Sequence, residues 1–294
     1  MRKLKFQYRM QLSFSKPVNR HHFTLRCFPK DSERQQIENQ EVKIEPSYDG
    51  GDKTDSFGNL CKYGVVEKEH SEFVVNVTGT VCVNGSQFQP VYEKHKVGMF
   101  RYHTALTKKG PTIENIYNKC KDKDLSTENF PYIPGISDAD NIKNIENNEG
   151  SIEVIRRAYY FMNVVHDCLE YAPGITQVNT TAEEAATLGS GVCQDYSHIM
   201  LSLLRMEHIP CRYVAGMMMG EGASHAWVEV CDGEKWVAFD PTNNCMVDDS
   251  YICISNGRDA KDCTINQGYF YGLPEQVQEI HVLVENVEDE YTNI

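Results

Sequence analysis

The sequence predicts an α+β protein: a sandwich-like N-terminal antiparallel β-domain followed by a second domain in which helices precede a β-meander. Three observations predict it. Short apolar runs of period two fill residues 1–105. A stripe of three- and four-residue steps begins at Ser151. Two strand-like runs then flank Asp232-Gly233. The length of 294 residues is about twice the ~150 typical of one domain. The expected organisation is therefore a β-rich domain over 1–105, a connector over 106–150 and a catalytic domain over 151–294.

In the first domain Leu4, Phe6, Tyr8 and Met10 alternate with polar residues, as do Phe73, Val75 and Val77, with Val81 and Val83 on a neighbouring stretch. Turn signals stand between such runs at Asp49-Gly50-Gly51, Phe57-Gly58-Asn59 and Asn84-Gly85. The connector carries Lys108-Lys-Gly-Pro111 and Phe130-Pro-Tyr-Ile-Pro-Gly135, with a short helix expected around Ile113–Lys119. From Ser151, Ile152, Ile155, Tyr159, Met162, Val165 and Leu169 mark one face of a helix that ends by Pro173-Gly174. Thr181-Ala-Glu-Glu184 has the form of a capping box and Gly189 that of a stop. Tyr196, Ile199, Met200, Leu203 and Leu204 outline another helix, ended by Pro210, and strands are expected at 211–216, 225–231 and 234–240.

Composition narrows the function. With 40% hydrophobic and 24% charged residues the chain can build a substantial core. Its 29 basic and 42 acidic residues leave a net charge of −13, which argues against nucleic acid or anionic membrane as a partner, because both need clustered positive charge. The eleven cysteines are scattered, with no C-x2-4-C knuckle. The N-terminus lacks a signal-peptide apolar stretch, and no run of ~18 apolar residues occurs. Free thiols in a cytoplasmic setting are the expectation.

Cys193 follows Gly189-Ser-Gly-Val192 and opens the 196–204 helix. The positive end of a helix favours a thiolate over a thiol, and a backbone N–H there can face an oxyanion. Downstream, a two-residue turn at Asp232-Gly233 would pair Cys231 with Glu234 and, counting back, His225 with Asp240. Residues directly opposite lie ~4.5–5.5 Å apart at Cβ, so carboxylate and imidazole could hydrogen-bond. In that register Trp227 faces Ala238 and Glu229 faces Trp236, with Ala226, Val228, Val237 and Phe239 on the other face. A cysteine, a histidine and a carboxylate that orients the ring form the nucleophile–base–orienter set of covalent catalysis.

Thr180-Thr-Ala-Glu-Glu-Ala185, Gly191-Val-Cys-Gln-Asp-Tyr-Ser-His198, Pro210-Cys-Arg-Tyr-Val-Ala-Gly216, Ser224-His-Ala-Trp-Val-Glu-Val230 and Trp236-Val-Ala-Phe-Asp-Pro-Thr-Asn243 closely resemble the bacterial transglutaminase-like cysteine peptidases, and Gly257-Arg-Asp259 also fits. The resemblance covers residues ~150–275, and residues ~1–90 are similar to the β-domain that precedes this core in such proteins. It implies a papain-like/transglutaminase-like α+β catalytic domain with Cys193 as nucleophile, His225 as general base and then acid, and Asp240 as orienter. The implied reaction is cysteine-dependent acyl transfer on peptide or glutamine-type amides through a thioester, with hydrolysis favoured over amine transfer. The backbone N–H of Cys193 would be one oxyanion donor. Thr187 stands where papain-type enzymes carry a glutamine donor, and both tryptophans lie downstream of the cysteine, unlike the upstream tryptophan of eukaryotic-type transglutaminases.

Rival readings are weaker. Cys193, His225, Cys231 and Asp240 include zinc-ligand types, but Cys231 lies about 20 Å along an extended strand from His225, so no metal and no cofactor is expected. His21-His22, His166 and His208 lack a partner pattern and are read as surface or satisfied structural histidines. Ser190 lacks the strand–turn–helix setting of a hydrolase elbow. A non-catalytic binding module with a retained Cys-His-Asp set stays open as the alternative, and the partner expected of the enzyme is a peptide or protein substrate.

Overall fold

In the computed structural model, which describes residues 1–86, 88–125 and 145–287, the first strand sets the architecture. β1 (Arg2–Leu25) buries Leu4, Phe6, Tyr8, Met10, Leu12 and Phe14, every second residue, on one face. Each large apolar side chain so buried stabilises the fold by about 1.5–3 kcal/mol. The register breaks between Ser13 and Val18, and Arg20 adopts a φ of 46°. Such an irregularity bends a strand, and here it lets β1 serve two groups of neighbours. β2 (Gln35–Glu45), β3 (Asp49–Thr54), β4 (Leu60–Val66) and β5 (His70–Val83) follow. β5 pairs with the first half of β1 and carries β2 on its far side; β4 pairs with the second half and carries β3.

One turn expectation is corrected. Asp49-Gly50-Gly51 is strand, because Gly50 sits against Gly64 so closely that a Cβ would lie 2.0 Å from the Tyr63 carbonyl oxygen. Glycine here serves close approach between strands. The turn falls at Phe57-Gly58-Asn59, where Gly58 has a φ of 79°. Val81 and Val83 continue the strand of Phe73, Val75 and Val77, all within β5.

The chain then passes through β6 (Gln89–Pro90) and a one-turn helix, α1 (Lys94–Val97). α2 (Pro111–Cys120) has proline in its first turn, where the missing N–H costs nothing. Glu183 accepts from the N–H groups of Thr112 (2.7 Å) and Ile113 (3.0 Å), so the carboxylate of another helix caps this one. Residues 130–135 lie outside the described residues. α3 (Ile145–Cys168) starts six residues before the expected Ser151. β7 (Glu170–Tyr171), α4 (Ala182–Leu188), β8 (Ser190–Gly191) and α5 (Cys193–Met206) complete the helical layer. The capping box at Thr181 and Glu184 is formed, and Gly189 ends α4 in the left-handed region.

β9 (Cys211–Met218), β10 (Gly220–Gly222), β11 (His225–Cys231), β12 (Lys235–Asp240), β13 (Cys245–Met246) and β14 (Tyr251–Gly257) follow. The second sheet runs β13-β12-β11-β9-β14, with β6 also on β12. Ala226, Val228, Val230, Val237 and Phe239 cover one face and pack with α3, α4 and α5. β15 (Asn266–Tyr271) and β16 (Gln276–Asn286) return to the first sheet and pair with β1, and β10 extends that sheet beyond β16. The last strands of the 151–294 segment are thus built into the N-terminal β-domain.

Two side-chain amides tie the halves together. Gln35 accepts from the Cys253 N–H (2.8 Å) and donates to its carbonyl (2.8 Å). Buried Asn59 does the same with Asn256, at 2.9 and 2.8 Å. Met217, Ile252 and Ile254 join the core of the β-domain. Among the described residues no helix is long and apolar enough to cross a membrane.

Candidate functional site

The site forms where the start of α5, the start of β11 and the end of β12 meet. Gly189 reverses the chain after α4, and the parallel pair β7/β8 holds the next residues through Glu170 N–H to Gly189 O and Ala172 N–H to Gly191 O, both 2.9 Å. Asp195 then reaches back within the first turn of α5. Its Oδ2 accepts from the Val192 N–H (2.8 Å) and the Thr176 hydroxyl (2.7 Å), which fixes the peptide in front of Cys193. Burial pushes the Asp195 carboxyl up, against the pull of those two donors. Cys193 is half-buried and packs against the helix-side core. Exposed Tyr171, Ile175, Val178 and Leu188 lie on the segments that lead into it.

The β11/β12 hairpin differs from its expected register. Cys231 pairs with Trp236 and Val228 with Phe239, so every pairing is moved by two residues. The Asp232 carboxylate accepts from Glu234 N–H and Lys235 N–H, both 2.9 Å, and Gly233 has a φ of 108°. The turn therefore centres on Gly233-Glu234, with glycine first, instead of on Asp232-Gly233. Glu229 faces Ala238, and neither Trp227–Ala238 nor Glu229–Trp236 is a direct pair. A shift of two leaves each side chain on its expected face.

It also leaves His225 diagonal to Asp240, within reach of it. His225 Nε2–H donates to Asp240 Oδ2 at 2.7 Å. Asp240 is fully buried and every lone-pair direction is used: Oδ2 also accepts from Asn243 Nδ2 (2.7 Å) and the Tyr251 hydroxyl (2.9 Å), and Oδ1 from the N–H groups of Thr242 (2.9 Å) and Asn243 (3.2 Å). Burial alone would raise the Asp240 carboxyl, but the bonds from His225 and Asn243 hold it below the usual value. Nε2 is committed to Asp240, and the Cys193 sulfur is close enough to the ring to favour its protonated form. Burial pulls the imidazole down, and Asp240 and Cys193 outweigh that and carry it up to about 10. An imidazole gripped by a saturated carboxylate beside a cysteine sulfur can carry a proton between sulfur and a leaving group.

Cys193, His225 and Asp240 are thus brought together. Thr187 is not: its hydroxyl sits between the Glu183 carbonyl (2.8 Å) and Thr112 Oγ1 (2.8 Å), on the face of α4 towards α2. Cys231 packs away with Phe100 and Trp236. His166, read as a surface or satisfied structural histidine, meets the Pro241 carbonyl through Nδ1 at 3.3 Å. Sequence reasoning missed the parts that Asn243, Tyr251, Asp195 and Thr176 play. The Asp240-Pro-Thr-Asn243 run did carry a signal, since an Asp that opens such a run tends to accept from backbone N–H groups two and three residues on. Tyr251 carried none, because its contact depends on the β9–β14 pairing.

With this geometry in place the comparisons become informative. Residues 4–82 match the bacterial transglutaminase-like N-terminal region, and residues 140–241 match the transglutaminase-like superfamily core. Residues 140–241 thus carry a transglutaminase-like core, and residues 4–82 the region that precedes it in bacterial proteins of that kind. Its fold is similar over 99% of its length to 92% of a solved chain from Cytophaga hutchinsonii described as a "Putative Cysteine Protease", with a TM-score of 0.73 and 18% identity, a likeness of fold. An uncharacterized protein of Mycobacterium leprae is 38% identical over 114 residues, and one of Mycobacterium tuberculosis is 32% identical over 117. Those alignments take in 35% and 34% of this chain, and the chain spans only 40% and 37% of these two relatives.

Proposed function

We propose that this transglutaminase-like protein is a cysteine-dependent acyl-transfer enzyme, acting hydrolytically on peptide or glutamine-type amides. The observation that supports the reading is the bond from His225 Nε2 to Asp240 at 2.7 Å, with the Cys193 sulfur acting on the same ring. In this reading the Cys193 sulfur, its proton passed to His225, attacks the amide carbonyl, and the Cys193 backbone N–H at the start of α5 receives the developing oxyanion. The carbon–nitrogen bond breaks as the His225 proton passes to the departing amine, leaving a thioester. Water then attacks, giving its proton to His225, and the acid departs as the thiol is restored. Asp240 stays ionised throughout and holds the ring. The exposed apolar side chains near Cys193 suit a peptide substrate with apolar residues beside the scissile bond.

Iodoacetamide labelling with mass mapping tests the assignment. Cys193 should react faster than the other ten thiols, and His225→Ala should remove that preference while the protein stays folded. Labelling of Cys193 at the common rate would sink the enzyme reading and favour a binding module. Turnover on a peptide-amide panel should vanish in Cys193→Ala, and product made only when a primary amine is added would assign amine transfer in place of hydrolysis.

A further inference from the structure

One cavity among the described residues is lined by none of Cys193, His225 and Asp240. It is a chamber of about 820 Å³ at the seam between the halves, floored by the face of the second sheet that points away from α5 and walled by residues 30–37, 56–58 and 89–100. That volume falls in the range of small-molecule sites, which favour domain seams. Four cations line it, Lys30, Arg34, Lys96 and Arg212, together with four acids, Asp31, Glu33, Glu93 and Glu229, and Lys96 is paired with Glu93 at 2.8 Å. Arg212 pairs with Glu229 through both Nε at 2.6 Å and Nη2 at 2.5 Å and lies 4.2 Å above the Trp236 ring. Arg34 spends one nitrogen, Nη2, on the carbonyls of Val247 and Asp248, at 2.6 Å each. Lys30 holds the Gly58 carbonyl. A guanidinium has five N–H groups and an ammonium three, so each cation retains donors beyond these bonds. Glu229 offsets Arg212 and Glu93 offsets Lys96, while the Asp31 and Glu33 carboxylates accept from the Ile37 N–H and the Tyr92 hydroxyl, and the floor and walls add Trp227, Trp236, Phe57 and Phe100.

We propose that this chamber is a binding site, separate from the Cys193 centre, for a small molecule that joins an anionic group, carboxylate or phosphate, to a flat apolar body. The anion would sit among Lys30, Arg34 and Arg212, where guanidinium forks and an ammonium suit oxyanions. The apolar body would lie along Trp236 and Phe57. Burial lowers the Lys30 ammonium, and the neighbouring Arg212 charge adds to that; an anion among them relieves the second effect. Trp227 and Tyr251 belong to the same wall and also border His225.

The chain's two tryptophans both line the chamber, so intrinsic fluorescence reports on it directly. Titration of the intact protein with phenyl phosphate, with benzoate and with neutral benzyl alcohol is the experiment. A saturable change with both anions, at least about tenfold tighter than with benzyl alcohol and weakened by added salt, is expected. Lys30→Met, which keeps the aliphatic stem, should weaken the anions about three- to tenfold and leave benzyl alcohol unchanged. Tight phenyl phosphate with weak benzoate would assign phosphate, and the reverse carboxylate. An unsaturable change, or equal binding of benzyl alcohol, overturns the proposal. So does unchanged anion affinity in a folded Lys30→Met protein; if that variant melts early, the comparison of the probes on the native chain decides alone.

Discussion

Each half of the molecule buries a histidine against a polar partner, and the two respond in opposite directions. In the β-domain, His21 Nδ1 lies 3.2 Å from His70 Nε2, with Phe14 and Phe73 edge-on around the ring. Burial and the neighbouring His70 pull it down to about 4. In the second half, His225 is also largely buried, yet Asp240 and Cys193 carry it up to about 10. Loss of water favours the neutral ring in both places, so the partner decides the outcome: a second imidazole adds nothing that stabilises the cation, whereas a carboxylate does. The His70 ring passes its own Nδ1–H to the Lys68 carbonyl at 2.8 Å, which leaves Nε2 to accept from His21, a neutral relay.

The largest expected effect comes from taking the charge out of the second pair. Asp240→Asn should lower kcat on a peptide-amide substrate by about 10³-fold while changing KM far less, because the amide presents the ring with a different partner for Nε2. A near-native rate would separate the contrast between the two pairs from catalysis. Tyr251→Phe is smaller. It removes one donor from Asp240 and leaves the others, and should cost about 1.5 kcal/mol in chemical denaturation, with kcat reduced less than tenfold.

The gentlest probe is pH, where the pairs should mark opposite limbs of one melting curve. A ring raised from 6.5 to about 10 binds a proton more tightly in the folded state, so the His225 contribution is complete below about 6.5 and is lost as pH rises towards 10. A ring lowered to about 4 resists protonation when folded, so the contributions of His21 and of buried His198 are complete above 6.5 and are lost as pH falls through about 4. Differential scanning calorimetry should flatten the alkaline limb in His225→Gln and part of the acid limb in His21→Phe, each by about 2–4 °C. A shared limb would show that the two rings are not set by their partners.

What was legible in the sequence follows from the range of each interaction. Period-two burial in β1, the capping box at Thr181 and Glu184, the stop at Gly189 and the start of a helix at Cys193 depend on neighbours along the chain, and all appear. The hairpin was legible in its faces but not its register, because the Asp232 side chain competes for the turn's N–H groups and moves the pairing by two. A shift of one would have turned His225 to the other face. Asp49-Gly50-Gly51 misled because glycine serves turns and close strand contacts alike. The Tyr251 bond to Asp240 and the amide clamps at Gln35 and Asn59 join residues remote in the chain, and no local pattern announces them.

The pairing of β1 with β16 runs unbroken from Leu4–Asn286 to Phe14–Gln276. One flank of β1 therefore stays bare until a strand more than 250 residues further along the chain is in place. Until then the outward row of Lys3, Lys5 and Arg9 is what discourages a stranger from docking there. A chain cut before residue 276 would keep every strand of its second sheet while its first sheet lacked this border.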